Sequence, residues 1–256
     1  MSRTLLFITF IFFTSFFALE NVVYAMHITE GILPPKWVFT WFAVSLPFVG
    51  IGTYHLKRRK KRVPSFLPMV GMLGAAVFVF SCFPIPVIAL NGMATSHPCG
   101  TGMSAVLLGP FVSVLVAAIA LLIQALFLAH GGLTTLGGNI FSMGILGSFS
   151  GYFAFKIAYR CGLPLFWCGF LAGMASDLLT YLGTALELGL LVVGKGGSFL
   201  NATAEIFLVF MMTSQGILCV VEGAVVGFVL VFVYKRRPGI LLTLGVIRDD
   251  TKSIQP

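Results

Sequence analysis

The dipeptide Met26-His27 has the chemistry of a metal chelate if Met26 is the first residue of the mature chain. The freed α-amine of Met26, the deprotonated amide nitrogen of His27 and the His27 imidazole then form two fused chelate rings in one plane. Tetragonal nitrogen sites favour Cu(II) or Ni(II), and low-spin Co(II) can be forced into them. The imidazole of His97 is the candidate for the fourth position of the plane. Because all of these ligands must be deprotonated, we expect the metal affinity to fall in acid.

Residues 1–25 decide whether Met26 becomes a free N-terminus. A basic residue precedes an apolar run over 5–19, and the residues at positions −3 and −1, Val23 and Ala25, fit the preference of signal peptidase. The run is also short for a membrane span, which needs about 20 residues. We therefore predict that 1–25 is a signal peptide cleaved before Met26. An uncleaved first helix and a translation start at Met26 are the alternatives, and the second leaves the same mature end.

The composition predicts an all-α, polytopic helical membrane protein. Of the 256 residues, 58% are hydrophobic and 9% are charged, with a mean hydropathy of +1.03, whereas about a quarter of the residues in soluble domains are charged. The apolar runs are continuous rather than alternating, which favours helices over a barrel. Basic residues are concentrated beside apolar runs, as KRRKKR at 57–62 and KRR at 235–237. This placement indicates contact with the lipid bilayer and no nucleic-acid partner.

The basic blocks also predict the topology. The KRRKKR block is expected in the cytoplasm, so residues 26–36 and the loop 84–102 lie outside. His27 and His97 therefore share one face of the membrane. The transmembrane domain extends over 26–237, and 238–256 is a polar C-terminal tail.

Charge parity predicts about seven spans after cleavage, because an even number must separate two cytoplasmic basic blocks. Apolar segments follow the signal peptide at about 37–54, 66–90, 103–129, 139–159, 163–194 and 204–234. The 163–194 segment is long enough to hide a pair of short helices meeting near Ser176-Asp177. This count leaves Lys156 and Arg160 outside.

Each histidine also has a structural interpretation. His27 can be an interfacial residue near a helix start, and His97 can make local hydrogen bonds in its loop. His55 lies beside the basic block, where it is expected to be solvated. His130, at the inner end of the 103–129 segment, is expected to cap or hydrogen-bond a turn. Spacing alone leaves metal binding and these interpretations open.

Three stretches of the chain resemble the CbiM/NikM family, the substrate-capture (S) components of energy-coupling factor importers for cobalt and nickel. They are MHITEGILPPKWVFTWFAVSLPF, SHPCGTGMSAVLLGPFV and LLIQALFLAHGGLTTLGGNIFSMGILG, and the resemblance covers essentially the whole mature chain. It implies a six-helix S-component core with one extra N-terminal helix. It also implies that the metal is held in a square plane by the amine of Met26, the amide and imidazole nitrogens of His27, and His97.

The resemblance further implies a transporter subunit rather than an enzyme, located in the cell inner membrane with its mature N-terminus outside. The implied partners are CbiO-type ATPase subunits, which hydrolyse ATP, a CbiQ-type transmembrane coupling protein and a small CbiN-type subunit. The sequence is closer to the cobalt branch, which implies Co²⁺ as the transported substrate, no catalytic cofactor, and supply of cobalamin biosynthesis. The nickel-specific counterpart is the alternative. The small-residue pairs Gly71/Ala75 and Gly223/Gly227 suit close contact with partners or internal packing.

Cys99, two residues after His97, departs from the family pattern, in which a hydroxyl residue is expected. A thiolate at this position could add a soft axial ligand to the metal, whereas a neutral thiol would contribute only volume. Coordination by Cys99 would alter the selectivity among cobalt, nickel and copper.

Acidic residues in or beside the apolar segments support a competing hypothesis. They are Asp177, Glu187, Glu205 and Glu222. Intramembrane acids are functional candidates, and without the resemblance they would favour a proton-coupled secondary metal transporter. The S-component hypothesis instead expects their mutation to be mostly tolerated, with Asp177 on a structural polar face. An intramembrane enzyme is disfavoured because HExxH is absent and no serine/histidine or paired-aspartate arrangement stands out. The near-Walker run at 189–196 lacks the Ser or Thr that holds Mg²⁺, so we expect no nucleotide hydrolysis by this chain.

Overall fold

Helices make up most of the structure, as the composition predicts. A computed structural model of the chain describes residues 27–82, 85–86, 94–128, 130–193 and 197–247, so Met26 and the predicted signal peptide lie outside the described residues. Within these ranges, five helices have the length and hydropathy to cross a membrane. The prediction of an all-α, polytopic membrane protein is confirmed, while the count of seven spans stays a prediction.

The helices and strands are numbered here in chain order. The helices are α1 (Pro35–Arg62), α2 (Phe66–Ser81), α3 (Thr101–Leu108), α4 (Pro110–Phe127), α5 (Leu136–Arg160), α6 (Leu165–Val193), α7 (Phe199–Arg236) and α8 (Pro238–Leu244). Helix α5 includes a π-helical stretch, Ile140–Gly147, and α7 includes another, Met211–Gln215. The strands β1 (His27–Ile28), β2 (Ile85–Pro86) and β3 (Ala94–Ser96) form one antiparallel sheet in the order β1-β3-β2.

The apolar segment predicted as one span over 103–129 is two helices. Helix α3 ends at Leu108, Gly109 adopts a φ of +84°, and Pro110 begins α4. Glycine adopts a positive φ without a steric penalty, so Gly109 can end α3. Proline is favoured in the first turn of a helix, so Pro110 can begin α4. The guanidinium of Arg59 donates a 2.8 Å hydrogen bond from Nη1 to the Leu108 carbonyl. The turn therefore lies beside the C-terminal, basic end of α1, which we call the basic end of the bundle.

Helix α4 runs from the basic end toward the sheet. Near its C-terminus the Gln124 amide donates a 2.5 Å hydrogen bond to the Ser81 hydroxyl at the end of α2. Just after α4, the backbone N–H of Thr134 donates to the Glu30 carboxylate, which follows β1, at 3.1 Å. The turn containing His130 thus lies at the end of the bundle that holds the sheet, which we call the sheet end. The expected position of His130, at the inner end with the basic block, is wrong.

The 163–194 segment is the single helix α6, so the expected division near Ser176-Asp177 is also wrong. The pair of helices required by charge parity is α3 and α4, and the number of helices between the two basic blocks remains even. This change moves Lys156 and Arg160 to the basic end. Lys156 lines a cavity there with His55 and Arg59, and it lines a neighbouring groove with Arg160. Lys156 and Arg160 therefore lie at the same end as the two basic blocks, rather than outside as predicted.

Glycines allow α6 and α7 to pack at backbone distance. A Cβ atom on Gly169 would lie 2.8 Å from Cα of Gly227, and one on Gly173 would lie 2.9 Å from Cα of Gly223. Small residues permit such close approach between membrane helices. The Gly223/Gly227 pair therefore serves internal packing, whereas the Gly71/Ala75 pair on α2 is exposed.

Candidate metal site

The sheet joins the N-terminal residues to the loop that carries His97. His27 pairs with Thr95 and Ile28 pairs with Ala94, in antiparallel register. Strand β3 ends at Ser96, one residue before His97. In a regular antiparallel ladder, positions 27 and 97 are diagonal neighbours about 7–8 Å apart. The structure thus brings together the two stretches that the sequence predicted to share one face.

The residues after α4 hold β1 in place. The Ile28 N–H donates to Oδ1 of Asn139 at 3.2 Å, and the Thr135 hydroxyl donates to the Ile28 carbonyl at 2.9 Å. Both side chains are buried, as is Ile28 itself. The stretch LTTLGGN, which contributed to the family resemblance, therefore holds the N-terminal strand through hydrogen bonds to Ile28.

His97 is completely buried, and its backbone is bonded on both sides by one tyrosine. The His97 N–H donates to the Tyr181 hydroxyl at 2.7 Å, and that hydroxyl donates to the His97 carbonyl at 3.0 Å. The ring Nδ1 lies 2.9 Å from the Pro98 carbonyl oxygen, which can only accept, so Nδ1 carries the proton and Nε2 the lone pair. Burial lowers the pKa of His97 to about 4. The imidazole is therefore neutral at pH 7, the form that binds metals.

Glu222 of α7 holds the loop immediately after His97. One carboxylate oxygen accepts the Cys99 N–H at 2.6 Å and the other accepts the Gly100 N–H at 2.9 Å. Gly100 has a φ of +69°, and a Cβ atom there would lie 3.2 Å from the Phe80 ring, so the position favours glycine. The Glu222 carboxylate thus accepts from backbone N–H groups at the N-terminus of α3. The N–H groups at the start of a helix have no partner within the helix. A carboxylate at a helix N-terminus is also favoured by the helix dipole.

A second line of hydrogen bonds supports the loop from the side of β3. The hydroxyl of Ser96 donates to the carbonyl oxygen of Gln215, and the amide of Gln215 donates to the carboxylate of Asp177. All three residues are buried. The network connects the residue before His97 to the centre of α6.

Cys99 lies within the bundle rather than at its surface. It is completely buried, and its Sγ is 3.9 Å from the His97 carbonyl oxygen. Burial, together with the charges of Asp177 and Glu222, raises the pKa of the Cys99 thiol well above its usual value. The thiol is therefore neutral at pH 7. Its assignment as an axial ligand of the N-terminal chelate stays a prediction.

Tyr181, Gln215 and Glu222 were not predicted as parts of the site. On α6 the sequence does carry a signal, since Asp177, Tyr181 and Thr184 recur at helical spacing and a buried polar face needs partners. That face was interpreted as structural, and the hydrogen bonds show that what it supports is the His97 loop. Of the other acids, Glu205 is exposed, while Glu187 is buried against Gly138, and neither of its oxygens is hydrogen-bonded within the described part of the chain.

The bundle and its sheet end define a class of protein: a polytopic membrane protein that carries a candidate nitrogen-ligand site at one end. Residues 27–240 match the family described as CbiM, cobalt uptake substrate-specific transmembrane region. The chain belongs to this family, which confirms the resemblance found in its sequence. It is accordingly a substrate-specific membrane component of a metal transporter.

Individual relatives agree with the family match. The chain is 50% identical over 223 residues to the cobalt transport protein CbiM of Sorangium cellulosum, a match that covers 87% of this chain and 97% of that protein. It is 37% identical over 230 residues to the cobalt transport protein CbiM of Thermosipho melanesiensis, covering 90% and 95%. A crystal structure described as a transition metal transporter superposes with a TM-score of 0.72 at 26% identity, covering 82% of this chain and 93% of that one.

Proposed function

We propose that the chain is the substrate-capture component of an ATP-driven energy-coupling factor importer and that it captures Co²⁺ in a square-planar nitrogen site. The ligands are the amine of Met26, the amide and imidazole nitrogens of His27, and the imidazole of His97. The observation that carries the proposal is the register of β1 with β3, which sets His27 opposite Thr95, two residues from His97. The neutral His97 imidazole, with its lone pair on Nε2, has the donor chemistry that the site needs.

The proposal requires cleavage before Met26, since a longer chain has no free amine next to His27. The family match that begins at residue 27 supports this boundary. The mature N-terminus then lies outside, at the sheet end, and the basic end lies on the cytoplasmic side of the cell inner membrane.

Energy for import is supplied by separate subunits in this proposal. They are a CbiO-type ATPase, a CbiQ-type coupling protein and a small CbiN-type subunit. Cobalt rather than nickel is favoured because the named relatives are cobalt transport proteins, and the imported ion serves cobalamin biosynthesis. A planar nitrogen site accepts both metals, so the nickel-specific counterpart is the alternative to be measured.

The first experiment combines the intact mass of the purified mature protein with titrations of Co²⁺ and Ni²⁺. We expect a chain that starts at Met26 and binds Co²⁺ more tightly than Ni²⁺. His97→Ala should lower the Co²⁺ affinity more than roughly 100-fold, since loss of a group that merely orients a ligand costs 10–100-fold. His55→Ala, at the basic end, should leave the affinity unchanged. A higher affinity for Ni²⁺ than for Co²⁺ would identify the chain as the nickel-specific counterpart.

A second variant tests the amine itself. Three alanines added before Met26 in the mature chain place the amine four residues before His27 and should abolish the planar chelate, although every side chain is retained. A single added residue would not serve, because an amine two residues before a histidine forms a planar four-nitrogen chelate of its own. Full affinity in this variant, or an intact Met1 in a protein without a bound ion, would overturn the proposed site. Uptake driven by a pH gradient without an ATPase would then favour the proton-coupled transporter with its acids Asp177, Glu187, Glu205 and Glu222.

A further inference from the structure

A thiol and two carboxylates meet inside the bundle, next to the His97 loop. The Sγ of Cys99 and one carboxylate oxygen each from Asp177 and Glu222 all lie within 4.8 Å of one another. Cys99 and Asp177 are 0% exposed and Glu222 is 4% exposed. The three residues come from the loop, from α6 and from α7. Their meeting therefore depends on the close packing of α6 against α7.

The carboxylate oxygens of Asp177 and Glu222 can accept more hydrogen bonds than they receive. Oδ2 of Asp177 accepts from Gln215, but Oδ1 is buried and accepts no hydrogen bond from any residue that the structure describes. Each oxygen of Glu222 accepts one backbone N–H, and a carboxylate oxygen has a second lone-pair direction. Both carboxylates can therefore contact a further positive group without losing the bonds that hold the loop.

The cluster also lacks a counter-charge among the residues that the structure describes. Neither carboxylate forms an ion pair with a lysine or arginine of that part of the chain. Burying carboxylates without a cationic partner is costly, so such groups take up protons, pair with charges or coordinate metals. A cation within the cluster would satisfy the unpartnered oxygen and both charges together.

We propose that Cys99, Asp177 and Glu222 form a second cation site, separate from the N-terminal chelate, that binds a divalent transition metal such as Co²⁺. One thiolate and two carboxylates suit a borderline-soft cation, whereas Mg²⁺ and Ca²⁺ prefer oxygen ligands alone. Metal binding displaces the thiol proton to solvent, as is general for cysteine ligands. The site goes beyond the proposed function and shares with it only the choice of probe.

Co²⁺ itself reports which site it occupies, because a thiolate ligand adds a sulfur-to-cobalt charge-transfer band in the near ultraviolet. We expect the mature wild-type protein in detergent to bind two Co²⁺ per chain, one of them with this band. Cys99→Ser should abolish the band and leave one ion bound. His27→Ala should remove the other ion and leave the band. The matched control is Cys168→Ser, which should retain both ions. Cys168 is also a buried thiol, but its Sγ donates a hydrogen bond to the Leu163 carbonyl.

Several results would overturn this proposal, and they differ from those that overturn the planar site. One Co²⁺ per chain without a charge-transfer band would remove the second site and leave the first. A band lost in His27→Ala would make Cys99 an axial ligand of the N-terminal chelate. Cobalt-edge X-ray absorption of His27→Ala, which lacks the planar site, covers the case in which Cys99→Ser fails to fold. Sulfur in the cobalt shell of His27→Ala supports the second site, and a shell without sulfur contradicts it.

Discussion

The two parts of the candidate site are held by very different contacts. The His97 loop is fixed by Tyr181 and Glu222, buried side chains of α6 and α7 that bond the backbone of His97, Cys99 and Gly100. The N-terminal strand is held by neutral groups after α4 and by the exposed Glu30. The loop is part of the bundle, whereas the strand is attached to it.

This difference indicates how the ligand set is organised. Bonds to a buried charged group cost more to lose than bonds to neutral or exposed groups. In the proposed site, the bundle therefore positions His97 in advance, and the docked strand is the part that would supply the other ligands. An ion held by both parts would stabilise the docked arrangement by mass action. The following substitutions test this difference between the loop and the strand, in order of decreasing expected effect.

Glu222→Ala should have the largest effect, because it leaves two buried backbone N–H groups without an acceptor. We expect the free energy of unfolding to fall by about 3 kcal/mol or more. Denaturant unfolding in detergent measures the change. Glu205→Ala is the matched control, since Glu205 is exposed on the same helix and should change stability by less than about 0.5 kcal/mol. Equal effects of the two substitutions would contradict the role given to Glu222.

Tyr181→Phe removes a single oxygen atom that accepts from and donates to the His97 backbone. We expect roughly 1–2 kcal/mol of lost stability and Co²⁺ binding weakened 10–100-fold, as for groups that orient a metal ligand. Calorimetric titration measures the affinity. The control is Tyr54→Phe, because Tyr54 is 60% exposed at the other end of the bundle. An unchanged affinity in Tyr181→Phe would show that the loop keeps its position without this bond.

Asn139→Ala should release the strand without disturbing the loop. It removes the side-chain acceptor of the Ile28 N–H, at a cost of about 1 kcal/mol. In amide hydrogen exchange, protection should fall at Ile28 and remain at Cys99 and Gly100. Asn201→Ala, at an exposed position of α7, provides the comparison. Lost protection at both places would mean that strand and loop form one cooperative unit.

Glu30→Gln should have the smallest effect. The Glu30 carboxylate accepts the Thr134 N–H at an exposed position, and such contacts are worth less than about 0.5 kcal/mol. The same exchange measurement at Ile28 applies. A change larger than that of Asn139→Ala would reverse the order of the contacts that hold the strand.

The sequence was sufficient for the class of protein and for placing the stretch after Met26 and the His97 loop at one end of the bundle. Continuous apolar runs specify membrane helices, and basic blocks orient them, so both histidines could be placed at one end. The position of the hidden helix pair was also within reach. Gly109-Pro110 is a strong break signal, but the segment around it stays apolar and has the length of one span, so length and hydropathy alone predict a single helix there.

The supports of the loop could not be predicted in the same way. Tyr181 lies 84 residues from His97, and Glu222 lies 123 residues from Cys99. Periodicity shows that a polar face of α6 is buried, but it does not show which loop covers that face. That assignment depends on how closely α6 and α7 approach, which their glycines set through packing in three dimensions.

Arg59 carries a consequence for how the protein reaches its final topology. It belongs to the basic block that orients α1 during insertion, and it also donates to the carbonyl at the end of α3. If the α3–α4 hairpin entered from the wrong side, the Leu108 carbonyl would lie at the other end of the bundle, far from this donor. The same side chain therefore contributes to the orientation of α1 and to the stability of the α3–α4 turn at the end of the bundle where α1 terminates.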